Sequence, residues 1–115
     1  MYILVNSDIK IGKGKLAGQV GHAVAKMFYN AWNVTLGSKP LPTIEEYMQN
    51  HQKKIILYCS QGKLEELEKE GYIAIRDKGF TDLEKNTLTC VNLGIVNYDK
   101  FPEGLEWVRE LKLCR

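Results

Sequence analysis

The sequence predicts a layered fold of helices and strands, α/β or α+β, around one sheet of about four strands. Three observations predict it. Short β-rich apolar runs alternate with helix-type segments along the chain. The 115 residues are 44% apolar and 26% charged, a globular composition long enough to bury one core without staples. No repeat, low-complexity tract or internal linker interrupts residues 1–115, so the chain reads as a single domain.

Each element follows from its residues. Tyr2 to Val5 is a β-rich run ended by the turn-prone Asn6-Ser7-Asp8. Lys10 to Gly14 is a loop that opens a helix from about Gly14 to Trp32, and Leu16, Val20, Ala23, Val24 and Met27 form its core-facing stripe. Gly37 to Pro42 is a loop. Thr43 is a candidate N-cap, with Glu46 completing a capping box for a short helix to about Asn50. Lys54 to Cys59 (KIILYC) is the clearest strand. Ser60 caps a helix from Lys63 to Lys69 that Gly71 closes. Tyr72 to Arg76 reads as strand, Asp77 to Asn86 as a polar loop and Thr87 to Val96 as the last strand. An amphipathic segment, about Glu103 to Leu111, offers Leu105, Val108 and Leu111 to the core.

Net charge is only +2, so no extreme pI marks a nucleic-acid partner. Its distribution is uneven, however. Up to Ser60 seven lysines face three acids, and beyond it nine basic residues face eleven acids, which leaves room for a basic face in the first half. The three cysteines, Cys59, Cys90 and Cys114, form no CxxC pair, and the histidines complete no zinc spacing. Cys59 and Cys90 lie in apolar runs and read as buried thiols of a reducing compartment. MYILVNSD lacks the basic and apolar regions of a signal peptide. No apolar run approaches the roughly 18 residues of a membrane span, so a cytoplasmic protein without a membrane partner is expected.

The segment IGKGKLAGQVGHA carries the chemistry. Lys15, Gln19, His22 and Lys26 are spaced by fours and a three, and on a helix they fall within roughly 40° of one direction. A phosphate-binding P-loop does not fit. Lys15 is followed by Leu16 instead of a magnesium-holding hydroxyl, and Gly12 and Gly14 are too close together. No nucleophile elbow and no carboxylate pair at metal spacing occurs. A glycine-lysine loop entering a helix is still suited to an anion. The competing reading is that the glycines turn the chain and the lysines keep it soluble.

SDIKIGKGKLAGQVGHA resembles the N-terminal signature of the archaeal and eukaryotic-type (type 2) peptidyl-tRNA hydrolases. That signature has an acidic residue after the first strand, a GKGK loop, an Ala-Ala-Gln-like run and His-Ala three residues later. IRDKGFTDLEKNTLTCVNLG is similar to the family's Asp-Ala-Gly-x-Thr loop and following Thr-x-Thr strand, and LKLCR to its closing strand or tail. The resemblance spans the chain apart from a variable middle between about Asn30 and Gln52. It implies an α/β fold: a single layer of about four strands forming a mixed sheet with helices on both faces, often as a homodimer.

Position by position, the resemblance places the functional lysine at Lys15, the motif histidine at His22, the aspartate at Asp77 and the hydroxyls at Thr81 and Thr89. Asn6, Gly18, Gly21, Lys78 and Asn86 depart from the family's usual residues, and Phe80 occupies a variable position. The reaction implied is metal-independent hydrolysis of the ester between a peptide and tRNA, with no cofactor. Lys15 would stabilise an oxyanion or hold a phosphate. Asp77 would orient or deprotonate a water, and Thr81 and Thr89 would hold the water or the carbonyl. Lys10, Lys13, Gln19 and Lys26 are the expected substrate contacts, with the Lys15–Lys26 line as one wall of the groove. A non-catalytic RNA-binding or adaptor protein on the same scaffold is the alternative. A nucleotide-binding reading of the GKGK loop would need the missing hydroxyl.

Overall fold

The computed structural model describes residues 1–34, 42–79 and 86–115. The expected loop at residues 37–41 and the site candidate Thr81 lie outside the described residues, as does Phe80.

The elements follow in the order β1 (Tyr2–Asn6), α1 (Lys13–Val34), α2 (Pro42–Gln49), β2 (Ile55–Cys59), α3 (Gln61–Lys69), β3 (Ile73–Arg76) and β4 (Leu88–Gly94), then a 3-10 turn at Glu106–Glu110. They form one four-stranded sheet in the order β2-β1-β4-β3. β1 pairs parallel with β2, and β4 runs antiparallel to both β1 and β3, so the sheet is mixed. Beyond β2, Leu113 makes an antiparallel bridge to Leu57. The LKLCR ending therefore works as an added edge segment, with Tyr58 N–H donating to the Lys112 carbonyl and Cys114 N–H to that of Ile56.

Alternation in β1 builds both halves of the core. Tyr2 and Leu4 join Leu57, Leu64, Leu67, Val91 and Val108 on the α3 face. Met1, Ile3 and Val5 join Ala23, Met27, Ile75 and Cys90 on the α1 face. With all five β1 residues buried, this strand is one of the sheet's two inner strands, beside β4. That is why its sequence is a continuous apolar run.

One local expectation is corrected. α2 starts at Pro42, so Thr43 lies inside the first turn and is not the N-cap. Proline suits a first helical position because its missing N–H would have no partner there. The amphipathic segment from Glu103 to Leu111 contains the 3-10 turn Glu106–Glu110, buries Leu105 and Val108 as expected and packs Leu111 against the core. The α3 reading holds in detail: Ser60 Oγ accepts from Lys63 N–H at 3.4 Å, and Gly71 follows the helix at φ +99°.

Candidate active site

β1, β2 and β3 all point the same way, because β4 opposes both β1 and β3. In sheets of this kind the crevice outside the strands' carboxyl ends collects ligands. The residues of both sequence motifs meet at this end. Lys15 sits in the first turn of α1, Asp77 directly follows β3, and Thr89 lies at the start of β4.

The Lys15 ammonium lies 2.8 Å from Asp77 Oδ1, and the two side chains are 20% and 6% exposed. Asp77 Oδ2 accepts from the Gly79 N–H at 2.9 Å. Lys15 and, after it, the Gly79 and Lys78 amides hold the Asp77 carboxyl below the usual carboxylate range against the opposing pull of burial. The aspartate is thus an ionised acceptor at neutral pH. Its backbone is fixed as well: Asp77 N–H donates to the Thr87 carbonyl at 2.8 Å, and Asn86 N–H donates to the Asp77 carbonyl at 2.6 Å. Asn86 holds φ +68° at that point, a conformation asparagine tolerates better than most residues.

A bulge arranges the next layer. Ile75 pairs with Cys90 but Arg76 pairs with Leu88, so Thr89 is the extra residue of β4. A bulge places two successive side chains on one face. Thr89 Oγ lies 2.8 Å from Gln19 Oε1, and Cys90 Sγ lies 3.6 Å from the Gln19 carbonyl. The Thr89 hydroxyl is also 3.0 Å from the Ile75 carbonyl. Its one hydrogen serves one of these acceptors at a time. Gln19 and Thr89 are both buried, one helical turn behind Lys15.

The chain matches the family described as "Peptidyl-tRNA hydrolase PTH2" over residues 1–113. This chain belongs to the PTH2 peptidyl-tRNA hydrolase family. A relative from Methanopyrus kandleri named peptidyl-tRNA hydrolase is 35% identical over 99 residues, which cover 80% of each chain. Relatives of the same name from Saccharolobus islandicus strain L.S.2.15 and Saccharolobus solfataricus are each 35% identical over 101 residues, covering 82% of this chain and 83% of theirs.

In this PTH2 chain the expected groove wall divides into two parts. Lys15 and Gln19 turn toward β3 and β4, whereas His22 and Lys26 are exposed. Gln19 is buried and held against the Thr89 hydroxyl. Thr89 has no exposed surface, and its hydroxyl lies between Gln19 Oε1 and the Ile75 carbonyl. The His22 side chain makes no hydrogen bond or ion pair to another described residue. Lys10 and Lys13 are exposed on the loop and at the helix start.

Sequence reasoning did not single out three supports of the candidate site. Arg76 grips Glu68 through two bonds, Nε to Oε2 at 3.0 Å and Nη2 to Oε1 at 2.7 Å, and donates to the Asn86 carbonyl at 2.7 Å. It thereby ties α3 to the neck of the Asp77 loop. Asn6, a departure from the family pattern, is buried; its Nδ2 donates to the Leu88 carbonyl at 2.8 Å and its Oδ1 accepts from Asp8 N–H. Asp8 in turn accepts from Gln61 N–H at the start of α3. An acid and an arginine facing each other from separate elements leave no local sequence signal.

Burial pushes the Cys59 and Cys90 thiols up to about 11, so neither is a nucleophile at neutral pH. Among the described residues no three His, Cys, Asp or Glu side chains converge as a metal site, and no helix is long and apolar enough to cross a membrane.

Proposed function

We propose that this chain hydrolyses the ester joining a peptide to the terminal ribose of tRNA. The observation that carries the reading is the Lys15–Asp77 pair, 2.8 Å apart at the carboxyl end of the sheet, on the residues where the two family motifs fall. Water adds to the acyl carbon, the ester C–O bond breaks, the ribose hydroxyl takes up a proton and the peptide leaves as a carboxylate. Lys15, charged and partly buried, stabilises the negative charge on the carbonyl oxygen. Asp77, held ionised by its partners, accepts a hydrogen bond from the attacking water and aims it. A carboxylate held this low is a weak base, so orientation is its larger contribution.

Thr81 adds a second polar contact to the water or the carbonyl. His22, exposed on α1, is an acid-base group or a hydrogen-bonding prop to the departing ribose. Gln19 and Thr89 fix the helix carrying Lys15 against β4. Lys10, Lys13 and Lys26 neutralise tRNA phosphates. The ester is already activated relative to an amide, so these side chains suffice without a metal ion. The enzyme acts in the cytosol, where its substrate arises, and as a homodimer; light scattering would then return twice the 13.2 kDa of one chain.

The test is release of peptide from N-blocked aminoacyl-tRNA by purified protein in the presence of chelator. Turnover is expected, with Asp77→Ala slower by about 10²-fold or more at saturating substrate. Activity that disappears with chelator and returns with a divalent ion refutes the metal-free reading. No turnover under any condition favours an RNA-binding protein on the same scaffold.

A further inference from the structure

A groove of about 1390 Å³ opens beside the candidate site, along the carboxyl ends of β1 and β2. Its floor is apolar, formed by Ile11, Leu16, Val20 and Ile56, and it is flanked by the aromatic rings of Tyr58 and Trp107. Lys13, Lys63, Lys112 and Arg115 line it, with Glu110 the single acidic side chain among the described residues there. The same helical turn that sends Lys15 toward Asp77 sends Lys13 and Leu16 into this groove. The groove and the ion pair therefore flank the first turn of α1 from opposite sides.

Given the hydrolase reading above, on which this inference rests, we infer that the groove holds the single-stranded 3′ end of the RNA. An ester between peptide and RNA has two arms, and charge decides which arm fits here. The peptide arm varies in side chain and carries no obligatory negative charge, so a site for it needs no ring of cations. The RNA arm carries a phosphate at every nucleotide and a flat base that stacks on aromatic rings. Lys63 Nζ lies 5.3 Å from the centre of the Trp107 ring, so a cation and an aromatic face stand within the reach of one nucleotide. Tyr58 lines the groove 36% exposed, with its hydroxyl donating to the Arg115 carbonyl at 3.4 Å.

The assignment divides the substrate between the two flanks of α1. The terminal nucleotides lie on the β2 side, with Lys13 at the nearest phosphate. The ester reaches across the helix start to Lys15 and Asp77.

The experiment titrates the full chain with a five-nucleotide single-stranded RNA ending in CCA and, separately, with an N-acetylated tetrapeptide amide, following amide and indole signals by NMR. Saturable shifts at Tyr58, Lys63 and Trp107 with the RNA, and none there with the peptide, are expected. Lys63→Ala combined with Lys112→Ala should weaken RNA binding about tenfold at low salt and lower the log–log salt slope by roughly 0.7 per lost contact. Trp107→Leu should weaken it by about tenfold at every salt concentration. Because Trp107 is half-buried, the lysine variants carry the conclusion if that protein fails to fold. Peptide-induced shifts in the groove, or unchanged RNA affinity in the lysine variants, overturn the inference. If the wild-type chain hydrolyses peptidyl-tRNA and these variants keep its KM, the groove assignment fails while the activity stands. If the wild type hydrolyses nothing, the underlying reading fails.

Discussion

Asp77 shows at the residue scale how a charge can be nearly buried and still be ionised. Its side chain is 6% exposed, yet it meets an ammonium at 2.8 Å and an amide N–H at 2.9 Å. A carboxyl whose folded pKa is lowered stabilises the native state at pH values above the unfolded value, and that contribution disappears as pH falls through the folded one. The unfolded reference is 3.8. The stability difference between wild type and Asp77→Asn should therefore stay constant from pH 7 down to about 5 and shrink only as pH passes below 3.8 toward the lowered value. Urea midpoints of both proteins across that range measure it. A difference that already closes between pH 7 and 5 would mean that the carboxyl is not held low.

At the scale of elements, α1 carries a cost that the structure leaves correctable. Gly18 and Gly21 are exposed, and a Cβ built on either meets nothing within 4 Å. Gly18→Ala and Gly21→Ala should each stabilise the protein by about 0.5–1 kcal/mol, read as a rise of a few degrees in Tm. A fall in Tm would show that this face is covered in solution. One side chain also links α3 and β3 to the segment that leads into β4. Arg76→Ala removes three bonds, to Glu68 and to the Asn86 carbonyl. Turnover should drop several-fold through loosening of the Asp77 neck, with KM little changed. Arg76→Lys should restore little of it, since an ammonium lacks the planar fork that spans both Glu68 oxygens. Equal kcat in the wild type and both variants at a temperature where all are folded would limit the clamp to a structural role.

Over the whole molecule, the +2 net charge conceals a division between the basic first half and the acidic second half. Lys10, Lys13 and Lys26 are all exposed on the α1 side, so each can meet a phosphate without being desolvated. Replacing any one by alanine should weaken substrate binding and reduce its log–log salt slope, by up to about 0.9 for a lost duplex contact and roughly 0.7 for Lys13 on the single strand. The single-turnover rate at saturation should hardly move. Lys15→Ala should lose both binding and rate, because that lysine is spent on Asp77 as well as on the substrate. Single-turnover hydrolysis at several salt concentrations separates the two classes. A salt slope unchanged in all three surface variants would move the RNA to another face.

Most of the element order was legible because its signals are local. The KIILYC strand, the Ser60 cap and the Gly71 stop each act within a few residues and stand where the pattern put them. The two motifs likewise picked out Lys15 and Asp77, which the fold then brings into contact. What each neighbouring residue does was settled by strand pairing between distant segments. Strict alternation would set Thr89 and Cys90 on opposite faces, but the bulge against β3 puts both toward α1. That register buries Gln19, which helical spacing alone had grouped with exposed His22 and Lys26. It also aligns Arg76 with Asn86 and Glu68. The sequence by itself determined which residues carry charge and where the chain turns, since those depend on neighbours along the chain. The tertiary structure alone decided which of them are desolvated and paired, because a one-residue shift in register changes the face and the partner of every side chain that follows.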